Sequence, residues 1–200
     1  LAKKRNCNMA VLTEKQIKYG FDYYHKDDAR PKSVVEVSEY DGEDKLIINC
    51  TQLEESYSAK AKKRIWMEWC DFLVNNPDTF TELMFCTRMP QDLFDAVCVQ
   101  RRLKKLHIKW GVYPDISKLE KLQELKYLHI GSGRSVSSLE PISRLVNLVA
   151  LSIENFQQID DYAPLANLKH LESLALEGDF AAPKILKVQS LEFLRHMKQL

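Results

Sequence analysis

The sequence predicts an α/β solenoid, a right-handed stack of coils with parallel strands on its concave face and short helical or extended segments on its convex side. Three observations lead to this prediction. A pattern of apolar residues returns every 22 or 23 residues, a second apolar series repeats in step with it, and proline recurs at matching points. The stretch ahead of the repeats is expected to form an α+β cap at their N-terminal end.

The first repeating pattern reads L-x-x-L-x-I, or a close variant of it. It opens at Leu103, Leu125, Leu148 and Leu171, which are 22, 23 and 23 residues apart, and Phe80 opens it once more upstream. Its last two apolar positions alternate, which is typical of one face of a strand. A unit of this size cannot bury its apolar face alone, so we expect neighbouring units to stack and their strands to pair in parallel.

The second series has apolar residues at intervals of three, which suits tight helical or extended segments on the convex side. One copy holds Val136, Leu139, Ile142 and Leu145, and the next holds Ile159, Tyr162, Leu165 and Leu168. Pro141 and Pro164 stand at matching points of the two copies. The solenoid is therefore expected over residues 80–200, with about five repeats. We expect it to continue past residue 200, because stacked repeats need capped ends.

These repeats resemble leucine-rich repeats, in particular the bacterial, internalin-like class with a repeat of 22–23 residues. The stretches "EPISRLVNL" (140–148) and "APLANLKHL" (163–171) carry the likeness, which covers residues 80–200. The resemblance implies a protein that recognises other proteins. The family places asparagine three residues after the last strand leucine, and here those positions hold Gly111, Gly133, Phe156 and Asp179. We therefore expect less regular turns and no asparagine ladder.

Residues 1–79 are expected to form the N-terminal cap module. Two alternating, β-branched runs flank the dipeptide Asp41-Gly42, a strong turn signal. They predict a β-hairpin over about 33–53.

Two helices are also expected in this module. Apolar residues spaced three and four apart predict an amphipathic helix over about 58–76, in which Trp66 and Trp69 would cover the exposed edge of the first repeat. A shorter helix is expected within 12–24, with Thr13 as its N-cap.

The composition is that of an ordinary globular chain, with 45% hydrophobic and 28% charged residues. The net charge of +1 gives no overall field that would favour nucleic acid or a membrane, and no apolar run is long enough to span one. The cysteines are Cys7, Cys50, Cys70, Cys86 and Cys98. Their odd number and the absence of C-x-x-C spacing favour reduced thiols and a cytoplasmic protein. Export stays open, because the chain begins at Leu1 without an initiating Met.

The predicted partner-binding residues alternate with the buried strand positions and so face the concave side. They are Lys105, His107, Lys109, Tyr127, His129, Ala150, Ser152, Glu154, Ser173 and Glu177. Lysines come from the early repeats and glutamates from the later ones, which predicts a basic-to-acidic gradient. The small residues between them leave a hollow for a protruding element of a partner, beside Tyr127 as an amphipathic anchor. The alternative is a solvated face with no dedicated ligand.

Catalytic, metal-binding and cofactor-binding sites are not expected. His107 and His129 share a column of the face, but a metal needs a third ligand and the next residues are Ser152 and Ala175. The stretch "GSGRS" (131–135) lacks the lysine of a phosphate-binding loop and is expected to be a turn between repeats. The sequence contains no recognised nucleophile motif.

Three functional hypotheses follow from these observations. The leading one is a non-catalytic module that binds a protein partner on the concave face. The alternative is the sensor arm of a larger multidomain effector, enzyme or toxin-neutralising protein. Nucleic-acid binding through the basic stretch 101–109 ranks below both, because the acidic later repeats would repel a long phosphate backbone. The sequence leaves the oligomeric state open.

Overall fold

The computed structural model of the chain describes residues 12–21, 30–179 and 185–200. The helices in these ranges are α1 (Glu14–Tyr19), α2 (Ala59–Asn75), α3 (Gln91–Val97) and α4 (Glu140–Ser143). The strands are β1 (Lys32–Val34), β2 (Lys45–Ile48), β3 (Glu82–Phe85), β4 (Met89–Pro90), β5 (Lys105–Ile108), β6 (Gly111–Val112), β7 (Tyr127–Ile130), β8 (Ala150–Glu154) and β9 (Ser173–Glu177). Short 3-10 helices cover Val37–Glu39, Ser117–Lys121, Ala163–Asn167 and Glu192–His196. In the described part of the chain, no helix has the length and apolar character needed to cross a membrane.

Among the described residues, seven strands form one sheet in the order β1-β2-β3-β5-β7-β8-β9. Every neighbouring pair in it is parallel. The central leucines of the repeated pattern stand opposite one another, because Leu106 pairs with Leu128 and Leu128 pairs with Leu151. The predicted stack of parallel strands is therefore confirmed. Strands β4 and β6 form a small second parallel sheet.

The core lies between this sheet and the segments that connect its strands. Leu83, Leu106, Leu128 and Leu151 each have no exposed surface and stack in one column. Burying a leucine side chain contributes about 1.5–3 kcal/mol, so this column alone is a large part of the stability of the stack. The second apolar series is buried as well: Val136, Leu139, Ile142, Leu145, Ile159, Tyr162, Leu165 and Leu168.

The last four described convex turns begin in the same way, with a side-chain oxygen that accepts a hydrogen bond from the backbone N–H two residues further on. The acceptors Asp115, Ser138, Asp161 and Ser190 bind the amides of Ser117, Glu140, Ala163 and Glu192 at 2.8, 3.2, 2.9 and 3.1 Å. Such short polar side chains satisfy amides that a helical turn would otherwise leave without a partner. The repeating unit therefore contains a polar cap at a fixed position as well as the buried leucines.

The predicted hairpin over about 33–53 is wrong, because β1 and β2 run parallel, with Ser33 opposite Ile47. A turn does form at Gly42, whose φ is 108°. The chain does not fold back there, however. The connection before it packs its apolar residues Val35, Val37 and Tyr40 against the core. This segment therefore runs along the core side of the sheet. It returns the chain to the end of the sheet at which β1 begins, so that β2 can run parallel to β1. An ion pair of 2.9 Å between Lys32 and Asp41 spans this connection.

Helix α2 lies within the range predicted for it, and its N-cap is Ser58, whose hydroxyl accepts a hydrogen bond from the Ala61 amide at 3.2 Å. It is the crossover between β2 and β3 and not a cover for the edge of the first repeat, since β2 itself pairs with β3 along that edge. Trp69 is fully buried in the core, and its indole N–H donates to the Val35 carbonyl at 2.8 Å. The sheet is continuous from β1 to β9, across the predicted boundary at residue 80.

Candidate protein-binding face

We use the term concave face for the side of the sheet opposite the core. Parallel pairing places its residues in columns. The first column contains Lys105, Tyr127, Ala150 and Ser173, and the second contains His107, His129, Ser152 and Ala175. In a third column, Glu154 pairs with Glu177. The predicted site residues are therefore brought together on one face, because side chains alternate along each strand.

The two histidines of the second column stack on each other. Their ring centroids are 4.2 Å apart, and the ring planes are inclined by 21°. His129 Nδ1 lies 2.9 Å from the Ser152 hydroxyl, and His107 Nδ1 lies 3.4 Å from the Tyr127 hydroxyl. Burial, followed by the nearby positive charges of Lys109 and Arg30, lowers the pKa of His107 to about 4. His107 is therefore a neutral imidazole at pH 7.

The structure exposes only part of the predicted face. Lys109 and Glu177 are exposed, and Lys105, His107, His129 and Glu154 are half-buried. The remaining predicted residues are buried: Tyr127 at 5% exposure, Ala150 at 0%, Ser152 at 5% and Ser173 at 6%. The expectation that these four are open to a partner is wrong for this conformation of the chain.

A segment of the chain itself accounts for part of this burial. Helix α1 lies against the loop before β9, where the Thr13 hydroxyl donates to the carboxylate of Glu172 and the Gln16 side-chain amide donates to the Glu172 carbonyl at 3.1 Å. Lys15 forms an ion pair with the same carboxylate at 3.3 Å. Just after the helix, Phe21 packs into a cluster with Tyr127 and Ala150.

This contact was not among the sequence predictions, although two of its parts were. Thr13 was expected to be an N-cap and is one, since its hydroxyl accepts a hydrogen bond from the Gln16 amide at 3.1 Å. The hollow of small residues beside Tyr127 was also expected. Phe21 occupies it and packs with Tyr127, Ala150 and the partly buried Ala175. The sequence contains no local signal that joins these parts.

The basic stretch 101–109 is partly neutralised within the fold. The guanidinium of Arg101 forms an ion pair with Asp78, with Nε donating at 2.8 Å, and Arg102 donates to the Asp78 carbonyl at 3.0 Å. Of the lysines in the stretch, Lys109 is exposed on the concave face.

The stretch 131–135 is a turn after β7, in which Ser132 has a φ of 55°. In the neighbouring repeat Asn155 has a φ of 59°, and its side-chain amide donates to Asp179 at 2.9 Å. Within residues 12–21, 30–179 and 185–200, no group of three His, Cys, Asp or Glu side chains is arranged to hold a metal ion.

The parallel ladder, the buried leucine column and the repeated convex turns define an α/β leucine-rich-repeat solenoid. No family model matches the chain, and no curated protein matches it significantly. Among solved structures it is similar to internalin C2 (inlC2) from Listeria monocytogenes str. 4b F2365, with 18% identity over 78% of this chain and 65% of that chain and a TM-score of 0.48. It is also similar to an internalin (inlF) from the same organism, with 20% identity over 64% of this chain and 41% of that chain and a TM-score of 0.41. The alignments thus span less than two thirds of either internalin chain.

Proposed function

We propose that this chain is a non-catalytic recognition module that binds a protein partner on the concave face of its sheet. The observation that supports this most directly is that the face already holds a polypeptide segment, residues 12–21 of the chain itself. The segment contributes the buried aromatic side chain of Phe21, and its Thr13 and Gln16 donate hydrogen bonds to the carboxylate and the backbone carbonyl of Glu172. These are the types of contact by which protein surfaces bind one another.

The rest of the face suits the same task. Strands in a continuous parallel ladder hold their side chains in fixed positions, so little conformational entropy is lost when a partner binds. Lys109 and Glu177 remain exposed at the rim, with charges of opposite sign. Charges at a rim contribute mainly to specificity and to the rate of association.

The arginines of the basic stretch argue against nucleic acid as the partner. Arg101 and Arg102 are both bound to Asp78, and the third column of the face carries Glu154 and Glu177. Nucleic-acid affinity depends on the number of cations that can neutralise phosphates. Here acceptors of the fold already engage two of the cations of this stretch.

The proposal can be tested by affinity capture with charge variants of the face. The native host extract is passed over wild-type chain, and bound proteins are crosslinked and identified by mass spectrometry. The double variant Lys109→Glu, Glu177→Lys should reduce capture of a specific partner by about tenfold or more, since rim charges set specificity. The matched control is Lys121→Glu, Glu124→Lys, which exchanges the same charges at two exposed positions outside the concave face. Equal capture by the two double variants would show that the partner binds elsewhere.

A further inference from the structure

Helix α1 is too short to be stable by itself. It has six residues, and isolated helices shorter than about 12–15 residues are marginal in water. Its capping box at Thr13 and Gln16 helps, but one cap does not offset the cost of nucleating so short a helix. The helix therefore depends on its contacts with the sheet.

Among the described residues, two points of contact stand out. One is Glu172, whose side chain is only 7% exposed. It accepts hydrogen bonds from Thr13 and Gln16 and forms an ion pair with Lys15. The other is Phe21, which is 6% exposed in its cluster with Tyr127 and Ala150. One buried aromatic side chain is a small fraction of the apolar surface that the described repeats bury, so the attachment is much weaker than the core.

The attachment is also separate from the main core. Phe21, Tyr127 and Ala150 form a hydrophobic cluster of their own, apart from the continuous core that runs from Val34 to Met197. Helix α1 contributes no buried residue, and its Ile17 is 55% exposed. The stack of repeats thus buries its leucines without any help from this segment. Segments held by few buried contacts are the ones that open locally without global unfolding.

We infer that residues 12–21 are a displaceable intramolecular ligand that closes the concave face, and that the partner presents a protein segment of the same chemistry. That segment is a short, N-capped helix followed by an aromatic side chain that enters the hollow between Tyr127, Ala150 and Ala175. This inference rests on the proposed function for the existence of a partner. Because only open molecules can bind that partner, its apparent affinity equals the intrinsic affinity multiplied by the fraction of molecules that are open.

The test needs no knowledge of the partner. A fluorescent peptide of residues 12–21, LTEKQIKYGF, is titrated into the full chain, and binding is followed by fluorescence anisotropy. The Phe21→Ala chain should bind this peptide at least about tenfold more tightly than the wild-type chain, because its own segment no longer fills the hollow. The full chain with Ile17→Ala is the matched control, since Ile17 is exposed in the same segment, and it should bind like wild type. A peptide with Phe21→Ala should bind neither chain.

Hydrogen exchange provides an independent readout of the same event. The amides of Ile17 and Gly20 donate to the carbonyls of Thr13 and Gln16, and their protection should fall in the Phe21→Ala chain while the amides of the sheet stay protected. Glu172→Gln removes the carboxylate that binds Thr13 and Lys15 at the other attachment point, and it should also lower the protection of these two amides. This variant covers the case in which Phe21→Ala impairs folding.

Equal peptide affinity for wild type and Phe21→Ala, or protection of α1 equal to that of the sheet in Phe21→Ala and Glu172→Gln, would overturn the inference. Neither result would affect the affinity-capture test of the proposed function, which uses Lys109 and Glu177. Conversely, insensitivity of capture to Lys109 and Glu177 would contradict the proposed function and leave the closure of the face intact.

Discussion

The imidazole rings of His107 and His129 stack on neighbouring strands, with their centroids 4.2 Å apart. A proton on His107 would place a positive charge in a poorly solvated position close to Lys109 and Arg30, and these effects lower its pKa from 6.5 to about 4. The expected measurement is an NMR titration of the His107 ring protons, with a midpoint near pH 4. A midpoint near 6.5 would show that the ring is solvated and that the face is more open than the structure has it.

The same shift makes the stability of the protein depend on pH. The unfolded chain binds a proton at His107 near pH 6.5, whereas the folded chain binds it only near pH 4. The free energy of unfolding therefore falls as the pH drops from 6.5 to 4, by up to roughly 3 kcal/mol for this group, and His107 makes no pH-dependent contribution above that window. Urea unfolding at a series of pH values measures this.

The variant His107→Gln should lose that part of the acid dependence, because it carries no titrating group. His170→Gln is the matched control, since His170 is exposed in the loop before β9, and it should retain the wild-type slope. An unchanged slope in His107→Gln would assign the acid sensitivity to carboxylates instead.

The positions of the strands could be predicted because the information is local and repeated. Alternation placed Leu106 and Leu128 inside and His107 and His129 outside, and pairing in the sheet follows from that. The first strand connection could not be predicted in the same way. Its residues alternate as a strand does, and a turn at Gly42 is compatible with either strand direction, so only packing beneath the sheet decides between them.

The candidate site was predictable only as a surface. Its columns follow from the strand pattern, but its contacts with residues 12–21 join parts of the chain that are far apart, such as Thr13 and Glu172, which are 159 residues apart in sequence. No short-range pattern links two such residues. The small residues Ala150 and Ala175 did indicate a hollow, and the sequence could not show that the chain's own Phe21 fills it.

The turn after β7 leaves no room for a side chain at Gly133. A Cβ atom there would lie 2.0 Å from the ring of Phe156, a residue that is fully buried. Gly133→Ala should therefore lower the free energy of unfolding by about 1–3 kcal/mol, the usual cost of overpacking, as measured by urea denaturation. Ser137→Ala, at an exposed position just after the same turn, should change it by less than about 0.5 kcal/mol. Equal stability of the two variants would mean that the ring of Phe156 moves aside freely.

Gln100 is a buried polar side chain that joins the C-terminal end of α2 to the segment just before β3. Its amide nitrogen donates to the carbonyls of Leu73 and Asn76 at 2.7 and 3.1 Å, and its oxygen accepts from the Phe80 amide at 3.4 Å. Gln100→Ala would leave these backbone groups without their partner, and each unsatisfied buried group costs about 1–3 kcal/mol. We expect a loss of at least about 2 kcal/mol in urea unfolding, in keeping with that cost.

The matched control for Gln100 is Gln123, which is exposed although its amide also donates to a backbone carbonyl, that of Glu120 at 2.6 Å. Gln123→Ala should change the stability by less than about 0.5 kcal/mol, because water can replace the lost donor. If both substitutions cost the same, burial of Gln100 would not be the cause.

The buried cysteines should react slowly with thiol reagents until the protein unfolds. Burial raises the pKa of Cys50 to about 12, and it also raises the pKa of Cys98. The thiolate is the reactive form, so a shift of that size lowers its population roughly a thousandfold, and Cys50 and Cys98 are at most 1% exposed. Alkylation with iodoacetamide at pH 8, followed by peptide mass spectrometry, should label these two at least about 100-fold more slowly in the folded chain than in 6 M guanidinium, because unfolding removes both barriers. Labelling at the same rate in both conditions would mean that the repeats open around β2 and α3 far more often than a packed leucine column allows.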